Sequence, residues 1–303
     1  MPDKAMYSNY VLALIDVLGQ KELFQGFDDS FLTVVDDPRL VAIHKNTVMA
    51  VEELRGILEG FLKTFTENGV SEEVISRIPP DKVDQFREMR KTEVITYRFS
   101  DCILAYSSLQ KTKYCSPAMN SVYGILMACG IMMTLSLARK KVFRAAVDIG
   151  LGTLLSNGEV YGPVSYKVYK MESSIAQYPR IVIGDNLHAY LTSLSHETKQ
   201  FEGQTAEDIK LCKEEAGICL KMIVRDLDGY PILDYLGDTF KNCLGDGYNH
   251  PDGSIKEEEI LNKAMYFIRE EYDKKRKMKD SKLALRYFLL LNYFKARIPK
   301  KNI

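Results

Sequence analysis

Residues 10–19, YVLALIDVLG, are apolar except for one carboxylate, Asp16, and end at Gly19, a pattern that predicts a strand over 10–17. From Lys21 to Arg90 the chain is charged and helix-favouring, broken by aspartate pairs at 28–29 and 36–37 and by Pro79 and Pro80, which predicts two or three helices. Two β-favouring runs, 93–97 and 102–107, flank Phe99, Ser100 and Asp101, the signature of a hairpin with a carboxylate at its tip. An apolar helix is predicted over 117–140, then a strand over 143–149 closed by GlyLeuGly at 150–152. Val164, Val168, Met171 and Ile175 share one face of a helix predicted over 164–177, and ArgIleValIle at 180–183 reads as a short buried strand. This order predicts an α+β, ferredoxin-like split βαβ sheet with helices packed on one face.

Beyond Asp185 the pattern changes. Charged helical stretches at 196–215 and 256–279 flank DLDGYPILDYLG at 226–237, and an amphipathic helix, LALRYFLLLNYF, closes the chain. No Pro/Gly/Ser linker separates the parts, so the reading is a core over 1–190, with a helical insertion at about 28–91, and a C-terminal extension over 191–303 packed on it. No internal repeat is evident.

Composition narrows the function. The 303 residues carry 41 basic and 41 acidic side chains, so no global field gathers nucleic acid or an anionic membrane, and any polyanion must be met locally. Six cysteines form no CxxC pair and no secretory signal pattern opens the chain, which points to reduced thiols in a cytoplasmic protein. The uncharged stretch VYGILMACGIMMTLSLA at 122–138 falls short of the roughly 20 residues that cross a bilayer. Its Gly124, Gly130, Thr134 and Ser136, and the strand-like segment soon after it, favour a buried core helix over a membrane span.

Burying a lone ionised carboxylate costs several kcal/mol unless something positive meets it, so Asp16 needs a partner. A split βαβ sheet sets the strand of Asp16 beside the hairpin, bringing Asp16 and Asp101 to one edge. Two such carboxylates repel unless a divalent cation lies between them, and hard oxygen ligands suit Mg²⁺ or Mn²⁺. Local sequence leaves a second reading open, with Asp16 capping a helix that starts near Leu18 and Asp101 forming a turn. His44, His188, His196 and His250 show no ligand spacing, which gives a zinc or histidine-base mechanism little support. AspLeuAspGly at 226–229 lacks the later ligands of a calcium loop and reads as a β-turn, and the basic run at 274–279 reads as a solvated helix face.

ALIDVLGQKEL at 13–23 resembles the first motif of class III nucleotidyl cyclases, and FSD at 99–101 resembles their second metal aspartate on a hairpin. FRAAVDIGLG at 143–152 and YGPVSYKVYKMESSIAQYPRIVI at 161–183 are similar to the strand and following helix of that fold. With DLDG and DYL at 226–236, the combination is most similar to the pyrimidine cyclases of bacterial anti-phage (Pycsar) defence, over residues 10–25 and 93–240.

That resemblance implies an enzyme that turns UTP or CTP into the 3′,5′-cyclic monophosphate and pyrophosphate. It implies metal ligands at Asp16, Asp101 and the carbonyl of Val17, holding two Mg²⁺ or Mn²⁺ ions. Triphosphate binding falls to the backbone of Leu18, Gly19, Gln20 and Lys21, where a helix start suits an anion. Base recognition falls to Tyr97 and, more weakly, Glu159, although Tyr97 reads equally as a core aromatic. The transition-state Asn and Arg of purine cyclases fall at Tyr166 and Lys170, so Lys170, Arg144 and Arg180 are the cations left to steady the α-phosphate. Either arginine reads equally as a structural partner, with Glu172 the candidate partner of Arg144. Family active sites form between two chains, which implies a homodimer. Loss of the transition-state groups leaves open a non-catalytic nucleotide-binding or scaffolding module, and the aspartate pair also suits a palm-type nucleotidyltransferase.

Overall fold

The computed structural model describes residues 7–19, 38–67, 75–110, 113–196, 205–245 and 257–298. Strand β1 (Ser8–Val17) is followed by helices α1 (Pro38–Asn46), α2 (Val48–Glu67) and α3 (Val83–Met89), then by β2 (Ile95–Phe99) and β3 (Cys102–Ser108). Next come α4 (Ser116–Ala138), β4 (Phe143–Leu154), β5 (Val160–Tyr161), α5 (Pro163–Ser174), β6 (Ile181–Ile183) and α6 (Asp185–His196). The chain continues through α7 (Ala206–Lys221), β7 (Ile223–Arg225), β8 (Pro231–Leu233), α8 (Asp238–Gly245), α9 (Glu257–Lys277) and α10 (Ser281–Arg297).

One mixed sheet runs in the order β2-β3-β1-β4-β6-β8-β7, with β5 paired to the end of β4. Among the described residues only the β4–β6 pairing is parallel, and α5 supplies the crossover that a parallel pair needs. Strand β1 therefore lies inside the sheet, between β3 and β4, and its two neighbours bring side chains from both directions to the level of Asp16.

Helices cover both faces of the sheet, whereas the element order alone suggested one. The reason is visible in β1. Val11, Ala13, Ile15 and Val17 enter the large core beneath α4, while Tyr10, Leu12 and Leu14 enter a smaller core with Val164, Val168 and Met171 of α5. A strand apolar on both faces must be covered twice. Helix α4 is apolar all round because α2, α7 and α9 pack against it on sides away from the sheet. It is long and apolar enough to cross a membrane, yet 89% of its most apolar window is buried inside the protein.

Past residue 190 the chain adds strands as well as helices. AspLeuAspGly at 226–229 is the tight turn joining β7 to β8: the Gly229 N–H donates to the Asp226 carbonyl at 2.9 Å, and the Asp226 N–H to the Tyr230 carbonyl at 2.9 Å. Gly229 takes φ +85°, the left-handed conformation such turns demand.

Candidate metal centre

Strand β1 ends because Gly19 adopts φ +90°, turning the chain away from the sheet just after Asp16. The β2–β3 hairpin turns through Ser100 and Asp101, with Ser100 held at φ 55°. A non-glycine residue there costs about 1 kcal/mol or more, and it is held in place by its surroundings. The Val17 N–H donates to the Asp101 carbonyl at 3.3 Å, tying the hairpin tip to the end of β1.

That tie brings the two acids together. A carboxylate oxygen of Asp16, one of Asp101 and the sulfur of Cys102 all lie within 4.8 Å of one another. All three residues are half-buried at the rim of the sheet, so the cluster is open to solute from one side. Asp16 stands opposite Cys102 on β3 and opposite Arg144 on β4. Arg144 Nε donates to Asp16 Oδ2 at 3.1 Å, and the guanidinium also pairs with Glu172 of α5. Cys102 Sγ points its proton at Asp16 Oδ1, 3.8 Å away.

Electrostatics follow from this crowding. Burial, then the charge of Asp16, pushes Glu172 up to about 7, with Arg144 opposing the rise. Burial and the charges of Asp16, Asp101 and Glu172 push the Cys102 thiol up to about 12. Cys102 therefore stands as a protonated donor to Asp16. Two hard carboxylates with a neutral neighbour suit Mg²⁺ or Mn²⁺ better than a thiophilic metal. Arg144 partly fills the positive role an ion would play at Asp16, while among the described residues no ion pair to Asp101 is formed.

The remaining sequence-predicted residues distribute as follows. The Leu18 N–H donates to the Val142 carbonyl at 2.9 Å, so that amide is spent on the fold. Gln20 and Lys21, and the helix expected after Leu18, lie outside the described residues. Tyr97 pairs with Leu104 on β3 and packs at the edge of the smaller core, on the same face as Asp16 and about 7 Å along the strand from Cys102. Its ring reaches the β4–β5 turn, where Cδ2 lies 3.9 Å from the position of a Cβ at Gly158, next to Glu159. Tyr97 and Glu159 thus share a neighbourhood. Lys170 and its neighbours Tyr166 and Tyr169 are exposed on the outer face of α5. Arg180 is 2% exposed and pairs with Asp226 and Asp228 of the β7–β8 turn, while Nη2 also donates to the Ile175 carbonyl at 2.6 Å.

No protein-family model matches the chain, and no curated protein does. A solved structure is similar to part of it. This is the crystal structure of a Class III adenylyl cyclase-like ATP-binding protein from Pseudomonas aeruginosa, at 13% identity and a TM-score of 0.39. The match covers 70% of this chain and 40% of that one, less than half of that protein's length.

Sequence reasoning missed Cys102 and Arg286. Strand alternation could have found Cys102, since the residue after a hairpin tip faces the neighbouring strand's end. Arg286 of α10 has its pKa lowered by burial and then by the charge of Arg144, which sets this helix of the C-terminal region within electrostatic reach of the site. Nothing local in its sequence carries that signal.

Proposed function

We propose that this chain is a divalent-metal-dependent nucleotidyl cyclase, converting UTP or CTP to the 3′,5′-cyclic monophosphate and pyrophosphate as a messenger in anti-phage defence. The observation that carries the reading is the convergence of the Asp16 and Asp101 carboxylates at the end of β1 and the tip of the β2–β3 hairpin. The β2-β3-β1-β4 order supports it, because it sets the strand of Asp16 beside the hairpin of Asp101. Asp16 and Asp101 hold the ions, with the Val17 carbonyl as a further ligand. Bound there, divalent ions supply the charge that acidifies a ribose 3′-hydroxyl and neutralises departing pyrophosphate.

The chain's own groups do the rest. Arg144 is a positioning residue that fixes Asp16 and Glu172 relative to each other. Tyr97 and Glu159 line the direction in which the base extends. Lys170, exposed on α5, serves a second copy's site in the homodimer that the family resemblance implies. Tyr166 and Tyr169, beside Lys170 on α5, are exposed as well, and the second copy covers them in this reading. Arg180, locked to Asp226 and Asp228, serves the fold in this reading.

A second reading, nucleotide binding without turnover, is favoured by the engagement of Arg144 with Asp16 and by Tyr166 and Lys170 standing where purine cyclases keep transition-state groups. One experiment separates the two: incubation with each of the four nucleoside triphosphates and Mn²⁺, with products read by mass spectrometry. Cyclic UMP or CMP supports the cyclase. Binding without pyrophosphate release supports the module, and a linear dinucleotide supports a nucleotidyltransferase.

A further inference from the structure

Helix α4 begins at Ser116, and the residue before it, Cys115, faces α7. Asp208 of α7 reaches across to this helix start. Its Oδ2 accepts the Cys115 N–H at 2.9 Å, and its Oδ1 accepts the Ser116 N–H at 3.0 Å and the Ser116 hydroxyl at 2.6 Å. Thr205, capping α7, in turn accepts the Asp208 N–H at 3.2 Å. These bonds fix the register of α7 against α4. Cys212 lies four residues after Asp208, one helical turn on and on the same face. The register therefore sets Cys212 against Cys115, with their sulfurs 2.7 Å apart.

We propose that Cys115 and Cys212 are a modification site: a thiol pair that closes to a disulfide when a low-molecular-weight disulfide such as oxidised glutathione is present. The bond would clamp the start of α4 to α7. This inference is independent of the nucleotide reading, since neither sulfur belongs to the metal centre.

The roles of the two sulfurs follow from their settings. Cys115 is half-buried, whereas its partner is closed off, so Cys115 is the sulfur an oxidant reaches. Cys212 is 2% exposed, and its hydrogen bond to Cys115, then burial, hold its proton on. Cys115 as thiolate attacks one sulfur of the oxidised reagent, releasing the first reduced thiol and leaving a mixed disulfide. Cys212 then attacks the Cys115 sulfur, its proton leaves with the second reduced thiol, and two electrons have passed from the protein to the reagent. Two protein thiols and one small disulfide become one protein disulfide and two small thiols. A metal site built on Cys115, Cys212 and Asp208 is disfavoured because both carboxylate oxygens of Asp208 already accept hydrogen bonds from the α4 start.

The test uses full-length protein, reduced, desalted and exposed to oxidised glutathione, then alkylated and mapped by peptide mass spectrometry. The expected result is one cross-linked peptide pair containing Cys115 and Cys212, with a mass lower by two hydrogens and no retained glutathione. The closed form should melt several degrees above the reduced form, because the bond closes a long loop. Cys115→Ala and Cys212→Ala, each checked for folding by circular dichroism, should lose both effects. The map of the unmutated protein stands whether or not a variant folds. Full alkylation of both thiols after oxidation, a lasting glutathione adduct on Cys115, a bond between other cysteines, or stoichiometric zinc held by the pair would overturn the proposal.

Discussion

Arg144 stands across from Asp16 in the β1–β4 register, donating to its Oδ2 at 3.1 Å while it pairs with Glu172 of α5. One guanidinium thus balances two carboxylates at the rim of the candidate metal centre. Their side chains are 17%, 18% and 4% exposed, so the triad is largely cut off from solvent and loses much when a member is removed. Replacing Arg144 by Gln should cost about 3 kcal/mol, read by urea denaturation. Mn²⁺ should restore more stability to this variant than to the parent, because the ion takes over the charge the arginine supplied. Equal Mn²⁺ shifts in both proteins would separate Arg144 from the ion's site.

Asp101 occupies a half-exposed turn, so Asp101→Asn should change stability by less than about 1 kcal/mol. It should nonetheless weaken Mn²⁺ binding at least tenfold by titration calorimetry, since a neutral amide replaces a charged oxygen ligand. Asp16→Asn should weaken Mn²⁺ binding likewise, at a larger cost in stability because it removes a member of the triad. Undiminished Mn²⁺ binding in both variants would remove the metal from this corner of the fold.

The aspartates were legible in the sequence because each closes a strongly patterned element: Asp16 ends an apolar run, and Asp101 sits in a hairpin turn whose flanking strands alternate. Helix α4 was legible for the same reason. Strands β7 and β8 were not, because three residues apiece are too short for any period to show. Helix α6 went unread too, its apolar spacing carried chiefly by the buried Leu187 and Leu191. The companions of Asp16 were only half legible. Arg144 and Glu172 could be named as a pair, but their joint hold on Asp16 depends on a strand register and a helix packing that no local pattern encodes.

Glu215 of α7 gives the molecule a pH dependence opposite in sign to that of most carboxylates. It is 6% exposed and pairs with Arg90, and burial pushes it up to about 7 against the opposing arginine, with Glu214 adding to the rise. The folded state therefore holds a proton that the unfolded chain releases near its ordinary value of 4.5. Stability is full below that value and falls as pH rises through about 7, because the native state binds more protons across the window. Glu172 acts in the same direction, so the measurement must isolate Glu215. Melting the parent and Glu215→Gln at pH 5 and pH 8 does so: the parent should lose more between the two. Identical losses would show that Glu215 titrates alike folded and unfolded.

Arg180 tests whether a buried cation near the sheet serves the fold or the chemistry. Its guanidinium is held by Asp226, by Asp228 at 2.5 Å and by the Ile175 carbonyl, and it lies over the Tyr178 ring at 4.8 Å. The Tyr178 hydroxyl donates to Asp226 at 2.6 Å, so the whole group bolts the β7–β8 turn to the segment between α5 and β6. Removing the cation leaves Asp226, 10% exposed, without its charge partner. Arg180→Ala should therefore cost about 3–5 kcal/mol, and the loss should shrink in the Arg180→Ala/Asp226→Asn double variant because the stranded charge is gone. Mn²⁺ affinity should not change in either. A variant of ordinary stability that fails to bind Mn²⁺ or to turn over substrate would move Arg180 from the turn to the active site.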